Sequence, residues 1–592
     1  MRRGRAAISW VRLLGGILIA AVSLNTAVGR PAAASGGFGD YHPSPRFTDR
    51  VSHSLYVPMR DGVRLAVLVS RPAIRGKPAA GRFPVIWQGT VSITEPHPAA
   101  ASKDPGYAGV PSLTAYGYVV VQVARRGNGQ SFGIRRGYND RTEDDDAYDV
   151  TEWLARQPWS NGRIGVYGCS NTGDAAMHAV TVRPPHLVAA FAGCFSFSKW
   201  DAFHRGGIYA QWGTGIERTV EQDMKLEPVD GDASRTLLHE AALEHQKGTP
   251  LRALWRSMPY RDSWSPLTLS RFWYEGSISS YADALRHSGV AIYIEGGWHD
   301  ELRDHGFITL DNVPNAHLLI GPWRHCQAPD FALLQEIHRF FDTYVKGIDT
   351  GLRREPAVHY FVQYGPHGGE WRSIDHWPPR ASGTERLYFG ASDALSPSPS
   401  REAIQRSFVV EKARNCADGW GPFMQPCVTP GEGLLFRTAP LVRTTEVTGH
   451  PVITLELQSD HDDAHVFAYL VDVAPDGSTA VVTEGRLKAS LGALEPAPWS
   501  LPGIPWHRGW EQDAQPLVPG KTASLLFDLM PTSYVFAAGH RIGIAVMGSD
   551  WRESDPAPLG AKLTILSAPG ALSYLDVPVV RGAREPIRPA RN

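Results

Sequence analysis

The feature that most constrains the fold of this chain is a series of short apolar runs between about Tyr56 and Tyr360. The runs that predict strands cover residues 64–70, 83–88, 118–124, 164–167, 187–192, 290–295 and 317–320. Several are apolar throughout, as expected of parallel strands that helices cover on both faces. Amphipathic stretches separate them, and this alternation predicts an α/β fold with a doubly wound sheet.

The pattern of strands changes twice along the 592 residues, and each change predicts a domain boundary. Residues 35–200 and 280–380 carry the runs of the doubly wound sheet, in two parts. Between them, residues 201–279 are rich in Trp, Tyr, Arg and helix-forming residues, which predicts a helical cap above the carboxyl ends of the strands. In residues 381–592, short alternating runs separated by turn residues predict an antiparallel β-sandwich of jelly-roll, galactose-binding-like form.

The N-terminus has the layout of a secretory signal peptide, which we assign to residues 1–34. Basic residues dominate positions 1–5, an apolar run covers 11–24, and small residues surround position 33. The apolar run is short for a bilayer span, so cleavage is expected, with an uncleaved anchor as the alternative. The sequence therefore predicts a secreted or periplasmic protein with no stable membrane span after cleavage.

The balance of charge argues against a nucleic-acid partner. The chain has 59 Lys and Arg residues against 60 Asp and Glu residues, so it has no basic excess to neutralise phosphates. No Cys-x-x-Cys pair is present, and we expect neither a metal ion nor another cofactor. The expected partner is a small-molecule ester, amide or short peptide, and the oligomeric state stays open.

Five cysteines cannot all pair with one another. Cys416 and Cys427 flank a Gly- and Pro-rich loop and form a candidate disulfide after export. Cys169, Cys194 and Cys326 lie in or just after predicted strands. For these three we expect free, buried thiols that pack as small apolar groups.

Three glycine-containing segments place a chemically useful side chain just after a predicted strand. They read GCSNTG at 168–173, GGWHD at 296–300 and GPWRH at 321–325. The carboxyl-end loops of parallel strands converge on one crevice, so Ser170, Asp300 and His325 are expected to meet there. Their order along the chain is that of an α/β-hydrolase triad. Ser170 is the candidate nucleophile, His325 its base, and Asp300 the acid that orients the base.

Other side chains compete for two of these roles. His299 and His305 are alternative bases, but a residue adjacent to Asp300 in sequence is badly placed both to bind it and to reach Ser170. The alternative acids are Glu295, Glu301 and Asp304.

The oxyanion of a tetrahedral intermediate needs preorganised hydrogen-bond donors. The backbone N–H of Asn171, directly after the nucleophile, is the first candidate. The second is expected from the loop after the strand at 83–88, which reads GTVS at 89–92.

Further motifs join these three segments to form a specific set. They read MRDGVRL at 59–65, RGNGQS at 126–131, EWLARQPWSNG at 152–162, FFD at 340–342, KGID at 346–349, PTS at 531–533 and AGHR at 538–541. With them the chain resembles the family that joins cocaine esterase, α-amino-acid ester hydrolases and Xaa-Pro dipeptidyl-peptidases, the CocE/NonD-type hydrolases, over about residues 57–550. The resemblance implies an α/β-hydrolase with a helical cap and a C-terminal jelly roll, and it assigns the triad to Ser170, Asp300 and His325.

Two positions depart from the pattern of that family. Its members usually carry Thr-Pro-Tyr after the second strand, and the Tyr hydroxyl completes the oxyanion hole, whereas this chain has Thr90-Val91-Ser92. The second donor is therefore the Ser92 hydroxyl, a backbone N–H, or absent. The family also tends to have Tyr where this chain has Asn171, a change that keeps the backbone N–H.

The resemblance also raises the question of a substrate amine, because amino-ester hydrolases and dipeptidyl-peptidases must hold an ammonium group with carboxylates. Asp201 and either Glu301 or Asp304 are candidates, although solvated or salt-bridged acids are the commoner case. We therefore expect a secreted serine hydrolase that cleaves carboxylic esters or amides through an acyl-enzyme. The alternatives are an Xaa-Pro dipeptidyl-peptidase or α-amino-acid ester hydrolase that requires a free α-amine, and a binding protein without catalytic activity.

Overall fold

The structure is a computed structural model that describes most of the chain. The described residues are 36–95, 106–210, 217–248, 250–314, 316–365, 368–414, 426, 428, 431–553, 555 and 557–581. The signal peptide predicted at residues 1–34 lies outside them, as does the candidate disulfide between Cys416 and Cys427. Both therefore stay predictions.

The described residues of the first part of the chain, up to residue 193, form seven strands and two long helices. They are β1 (Asp49–Pro58), β2 (Arg64–Ile74), β3 (Lys77–Pro78), β4 (Phe83–Thr90), β5 (Val119–Ala124), α1 (Arg141–Ala155), β6 (Ser160–Cys169), α2 (Asn171–Thr181) and β7 (Leu187–Gly193). Helix α1 begins where the Asp140 carboxylate accepts hydrogen bonds from the backbone N–H groups of Thr142 and Glu143. Such a cap satisfies donors that have no partner within the helix.

Among the described residues between β7 and the rest of the sheet are six short helices and a two-stranded ribbon. They are α3 (Lys199–Phe203), α4 (Val220–Asp223), α5 (Thr236–His245), α6 (Leu251–Arg256), β8 (Trp264–Ser265), β9 (Ser270–Arg271), α7 (Phe272–Glu275) and α8 (Ala282–Arg286). A buried cluster rich in aromatic side chains, among them Trp200, Phe203, Trp255 and Trp273, fills the space between them. None of these helices is long enough to be stable alone, so this packing holds the segment together.

The second part of the sheet follows this helical segment. Its elements are β10 (Ala291–Gly297), α9 (Arg303–Asn312), β11 (His317–Gly321), α10 (Leu333–Tyr344), β12 (Val358–Tyr364) and β13 (Gly369–Ile374). The pairings give the strand order β1–β2–β5–β4–β6–β7–β10–β11–β12–β13. The strands from β5 to β12 in this order are parallel, so their carboxyl ends share one edge of the sheet.

The remaining strands form the C-terminal β domain. They are β14 (Ser382–Gly390), β15 (Ala394–Ser396), β16 (Ile404–Val409), β17 (Gly433–Arg437), β18 (Thr445–Gly449), β19 (Val452–Ser459), β20 (His465–Val473), β21 (Thr479–Lys488), β22 (Thr522–Asp528), β23 (Thr532–Phe536), β24 (Arg541–Met547), β25 (Lys562–Ser567) and β26 (Tyr574–Val580). Nearly all their pairings are antiparallel, around a shared apolar core that includes Phe389, Phe436 and Phe527. This domain is the sandwich that the alternating sequence pattern predicts.

The parallel sheet and the C-terminal β domain are joined directly by strand pairing. Strand β12 of the parallel sheet pairs with β23 of the C-terminal domain, with Gln363 opposite Tyr534 and Tyr364 opposite Val535. Within the described part of the chain, no helix combines the length and the apolar character that crossing a bilayer requires.

Candidate active site

Ser170 lies at the sharp turn between β6 and α2. Its backbone has φ 59° and ψ −129°, a conformation that is strained for a residue with a side chain. A Cβ added to Gly168 would lie 2.1 Å from the carbonyl oxygen of Thr172, so the turn is too tight there for any other residue. This is the strand–turn–helix geometry of a nucleophile elbow.

Gly173 is the glycine that lets α2 approach the sheet. A Cβ at this position would lie 2.4 Å from the carbonyl oxygen of Gly193 on the neighbouring strand β7. Thr172 occupies the position at which the general nucleophile elbow has its second glycine. Its side chain folds back onto the turn. Its hydroxyl donates to the Cys169 carbonyl at 2.9 Å and accepts from the Gln88 side chain at 3.1 Å. The elbow therefore tolerates Thr172 because the close helix–strand contact falls one residue later.

Asp300 and His325 are in direct contact. Nδ1 of His325 lies 2.6 Å from Oδ2 of Asp300, and Oδ1 of Asp300 accepts a hydrogen bond of 2.7 Å from the N–H of Leu302. Asp300 is 1% exposed. The contact leaves Nε2 of His325 as the ring atom that can exchange a proton with a nucleophile.

The electrostatics of this pair match the roles of base and orienting acid. Burial lowers the pKa of His325, but the charge of Asp300 and their hydrogen bond outweigh it, so this pKa lies above its usual value. Burial opposes the ionisation of Asp300, yet the charge of His325 and the hydrogen bonds hold the pKa of Asp300 below its usual value. Asp300 is therefore ionised at neutral pH and stabilises the imidazolium of His325.

The two histidines that compete for the base have other surroundings. Nδ1 of His305 accepts hydrogen bonds from the backbone N–H groups of Phe197 and Ser198, at 3.2 and 3.4 Å. Burial lowers the pKa of His299 to about 4, and its backbone N–H donates to the carbonyl of Trp323. His325 is the histidine that contacts Asp300.

The three competing acids are also engaged elsewhere. Asp304 accepts two hydrogen bonds of 2.7 Å from Arg205. Glu295 accepts from Trp323 Nε1 at 2.8 Å and from the Tyr107 hydroxyl at 3.2 Å, and burial raises its pKa to about 7. Glu301 is buried and faces two guanidinium groups from the C-terminal domain.

A disulfide joins the neighbours of Ser170 and His325. Cys169, directly before Ser170, is bonded to Cys326, directly after His325, with the two Cα atoms 5.9 Å apart. The expectation that both are free thiols is wrong, whereas Cys194 is a free, buried cysteine as expected. The 157 residues between the two partners hide this pairing from local sequence analysis. The signal that would have indicated it is the position of each cysteine beside a triad candidate.

The two oxyanion candidates lie at the same edge of the sheet as Ser170. Asn171 is the first residue of α2, at a helix N-terminus that favours negative charge. Ser92 follows β4, which pairs in parallel with β6. The loop that contains Ser92 is held by the Gln130 side chain, which accepts a hydrogen bond from the Ile93 N–H at 3.1 Å and donates one to the Ile93 carbonyl at 3.0 Å.

The candidate ammonium-binding acids lie against arginine side chains. Arg261 donates to both carboxylate oxygens of Asp201, at 2.7 and 3.0 Å. Arg486 and Arg552 each lie 3.6 Å from Glu301. Burial would raise the pKa of Asp201, but the charge of Arg261 outweighs it, so the pKa lies below its usual range. Both carboxylates therefore already have cationic partners within the protein.

The C-terminal domain contributes to the position of Asp300. Arg303, which is 7% exposed, donates through Nη1 to the backbone carbonyl of Asp300 at 2.8 Å. Through Nη2 it donates to the hydroxyl of Thr483, on β21, at 3.0 Å. Local sequence analysis misses Arg303 because its role depends on a strand that is 180 residues away in sequence.

Comparison with known proteins divides the chain into the same two parts, the α/β part and the C-terminal β domain. Residues 61–327 match the model of the X-Pro dipeptidyl-peptidase (S15) family, and residues 350–571 match the C-terminal non-catalytic domain of X-Pro dipeptidyl-peptidases. A Mycobacterium bovis protein with a provisional name as a serine esterase is 32% identical, over 86% of this chain and 91% of its own. Cocaine esterase from a Rhodococcus species is 26% identical, over 85% of this chain and 92% of its own.

A solved structure shares the fold. It is a CocE/NonD family hydrolase from Staphylococcus aureus, which superposes with a TM-score of 0.71 at 19% identity and covers 90% of this chain and 94% of its own. The predicted architecture, an α/β-hydrolase domain followed by a separate β domain, is confirmed. The resemblance drawn from the sequence motifs is confirmed with it.

Proposed function

This chain belongs to the X-Pro dipeptidyl-peptidase (S15) family of serine hydrolases, and from that premise we propose that it cleaves carboxylic esters or accessible amides through an acyl-enzyme on Ser170. The observation that carries the proposal is the 2.6 Å contact between His325 and Asp300, on a loop bonded through Cys326 to the residue before Ser170. The contact joins a histidine to a buried carboxylate, and the disulfide ties the loop of that histidine to the residue before a strained serine.

The reaction begins when the Ser170 hydroxyl attacks the substrate carbonyl carbon and Nε2 of His325 takes the hydroxyl proton. Asp300 holds the imidazole in the required tautomer and stabilises the imidazolium that forms. The N–H of Asn171, and a donor from the Ser92 loop, stabilise the oxygen of the tetrahedral intermediate. His325 then gives the proton to the leaving group, and a water molecule releases the acyl group by the same steps in reverse.

A fluorophosphonate probe and a p-nitrophenyl ester test this proposal together. The intact protein should turn over the ester and carry the phosphonyl group on Ser170. Ser170→Ala should lower kcat by at least about 10³-fold. The matched control is Ser398→Ala, at an exposed serine of the C-terminal domain, which should react as the parent does. Turnover that survives in Ser170→Ala, or labelling at another residue, would contradict the assignment.

A dipeptidyl-peptidase or amino-ester hydrolase activity is the second candidate, because the family match is to X-Pro dipeptidyl-peptidases. This reaction needs a carboxylate free to bind the substrate amine. The pairing of Asp201 with Arg261, and of Glu301 with Arg486 and Arg552, favours the general esterase.

Matched substrates separate these two candidates. We expect kcat/KM for an amino-acid p-nitrophenyl ester to be similar with a free and an acetylated amine. A preference of more than about tenfold for the free amine, lost selectively in Asp201→Asn, would instead establish the second candidate. A protein with no turnover of either ester would fit the third alternative, a binding protein without catalysis.

We also propose that the chain is exported to the periplasm or the medium. Two features support this: the basic and then apolar N-terminus, and the Cys169–Cys326 disulfide, a bond that persists in oxidising compartments. Mass spectrometry of the secreted protein should find an N-terminus near residue 35, and a variant lacking residues 2–34 should stay in the cytoplasm. A cytoplasmic protein with an intact residue 1 would contradict export.

A further inference from the structure

Cys169 and Cys326 lie directly beside Ser170 and His325 in the sequence, so the bond between them limits how far the proposed nucleophile and base can move apart. We propose that the Cys169–Cys326 disulfide is a positioning element of the catalytic site, so that full turnover requires this bond to be oxidised. The inference rests on the proposed function, and it adds two positioning residues to that site.

The sheet itself does not bring the two residues together. Strands β6 and β11 are separated by β7 and β10, so three strand spacings lie between the strand before Ser170 and the strand before His325. At the usual spacing this distance is roughly 14 Å. The Cα atoms of Cys169 and Cys326 are nevertheless only 5.9 Å apart. The loop after β11 therefore reaches back across the sheet, and the disulfide is the covalent link that closes the gap.

His325 lies on an irregular segment, residues 322–332, between β11 and α10. On the N-terminal side of His325, Trp323 is buried, and its Nε1 donates to Glu295. On the C-terminal side, Cys326 adopts a positive φ of 54° that L-residues rarely take. The segment that carries His325 is thus anchored by a buried indole, by the contact of His325 with Asp300 and by a covalent bond, and opening the disulfide removes its covalent link to the strand before Ser170.

A third sulfur lies within reach of the disulfide. The Sγ atoms of Cys169, Cys194 and Cys326 lie within 4.8 Å of one another, and the Cys326 N–H donates to Sγ of Cys194 at 3.4 Å. Burial raises the pKa of the Cys194 thiol well above its usual value, so the thiolate that would attack the disulfide is scarce. The Cys169–Cys326 pairing is therefore kept although a free thiol adjoins it.

Reduction by dithiothreitol opens the bond with atoms and electrons in balance. One dithiothreitol thiolate attacks a cysteine sulfur and forms a mixed disulfide, and the other cysteine leaves as a thiolate. The second dithiothreitol sulfur then displaces the first cysteine and closes the six-membered cyclic disulfide. Cys169 and Cys326 end as thiols with the two protons that dithiothreitol gave up.

The experiment uses a full-length parent in which Cys416→Ser and Cys427→Ser leave only Cys169, Cys194 and Cys326. Kinetics of a p-nitrophenyl ester are measured on the oxidised parent, on the parent reduced by dithiothreitol, and on the parent after reoxidation. A Cys169→Ser/Cys326→Ser variant is measured beside them. Circular dichroism and the melting temperature report the folded fraction, and assays run well below the melting temperature.

We expect reduction to lower kcat by about tenfold or more while KM changes by less than about twofold, because a displaced base slows chemistry without removing substrate contacts. The rate of fluorophosphonate labelling at Ser170 should fall with kcat. Reoxidation should restore both in the parent, and the double variant should match the reduced parent.

Other outcomes overturn the inference. An unchanged kcat in folded, reduced enzyme would make the bond irrelevant to catalysis. A loss of activity that tracks the loss of folded signal would make it a general stabiliser, and so would a double variant that folds only on cooling and is then fully active. Peptide mapping that pairs Cys194 with either partner would refute the assignment of the bond. An oxidised parent without any turnover would instead refute the proposed function.

Discussion

Asp300 and His325 illustrate how one short hydrogen bond sets the protonation of both partners. The 2.6 Å contact and the charge of the buried carboxylate keep the imidazolium form of His325 favourable, against the effect of burial. A general base works only when neutral, so the proposed mechanism requires activity to rise with pH as His325 loses its proton.

The pH profile gives the first prediction. Because the pKa of His325 is raised, the acidic limb of kcat/KM should have its midpoint above the ordinary histidine value of about 6.5. Asp300→Asn removes the charge that raises this pKa, so the limb should move to lower pH while kcat falls by about 10⁴-fold. An acidic limb that stays in place in Asp300→Asn would show that another group governs it.

The contact between Asp300 and His325 could be predicted because both residues sit in recognisable positions. Ser170, Asp300 and His325 each follow an apolar strand, and the carboxyl ends of parallel strands meet at one edge. The partners of Asp201 could not be predicted in the same way. Arg261 is 60 residues away within an irregular segment, and nothing in the local pattern indicates that its guanidinium binds Asp201.

At the scale of elements, the junction of β6, α2 and β7 depends on glycines more than on any side chain. Gly168 lets the turn close, and Gly173 lets α2 lie against β7. The strand runs and the position of α2 follow from apolar patterning, since parallel strands buried on both faces read as continuous apolar stretches. The irregular loop that carries His325 has no such pattern, so its path could not be predicted from sequence. Its disulfide is indicated only by the positions of Cys169 and Cys326 beside two triad candidates.

The second prediction concerns Gly173→Ala. The added Cβ would meet the Gly193 carbonyl oxygen at 2.4 Å, and because that oxygen belongs to backbone within the sheet, the helix must shift instead. We expect a loss of about 1–3 kcal/mol in the free energy of unfolding and a lower kcat, because the shift moves Ser170. Gly37→Ala is the control, since a Cβ there meets nothing within 4 Å. Equal stability and activity in the two variants would contradict this close contact.

For the whole molecule, the C-terminal domain contacts a residue that binds Asp300, although it supplies none of the three triad candidates. Arg303 binds the carbonyl of Asp300 on one side and the hydroxyl of Thr483 on the other. The sequence predicts the two domains, because strand spacing changes after about residue 380. It does not predict this bridge, which needs the relative placement of the domains.

Thr483→Val tests the bridge in the third prediction. The substitution keeps the volume but removes the acceptor of the Arg303 bond and the donor to the Met530 carbonyl. We expect about 1–3 kcal/mol of lost stability and a several-fold lower kcat with KM nearly unchanged. Thr479→Val, at an exposed position of the same strand, is the matched control. If both variants behave alike, the domain contact does not position Asp300.

The pairing of β12 with β23 means that the parallel sheet does not end at a boundary between domains. Hydrogen bonds cross from one domain to the other through Gln363 and Tyr534, and through Tyr364 and Val535. A hinge between the two domains would have to break these hydrogen bonds, so we expect the domains to keep their relative orientation during turnover. The same pairing should couple the unfolding of the two domains, so a calorimetric scan should record one cooperative transition. Two separated peaks would show that the β12–β23 pairing contributes little to this coupling.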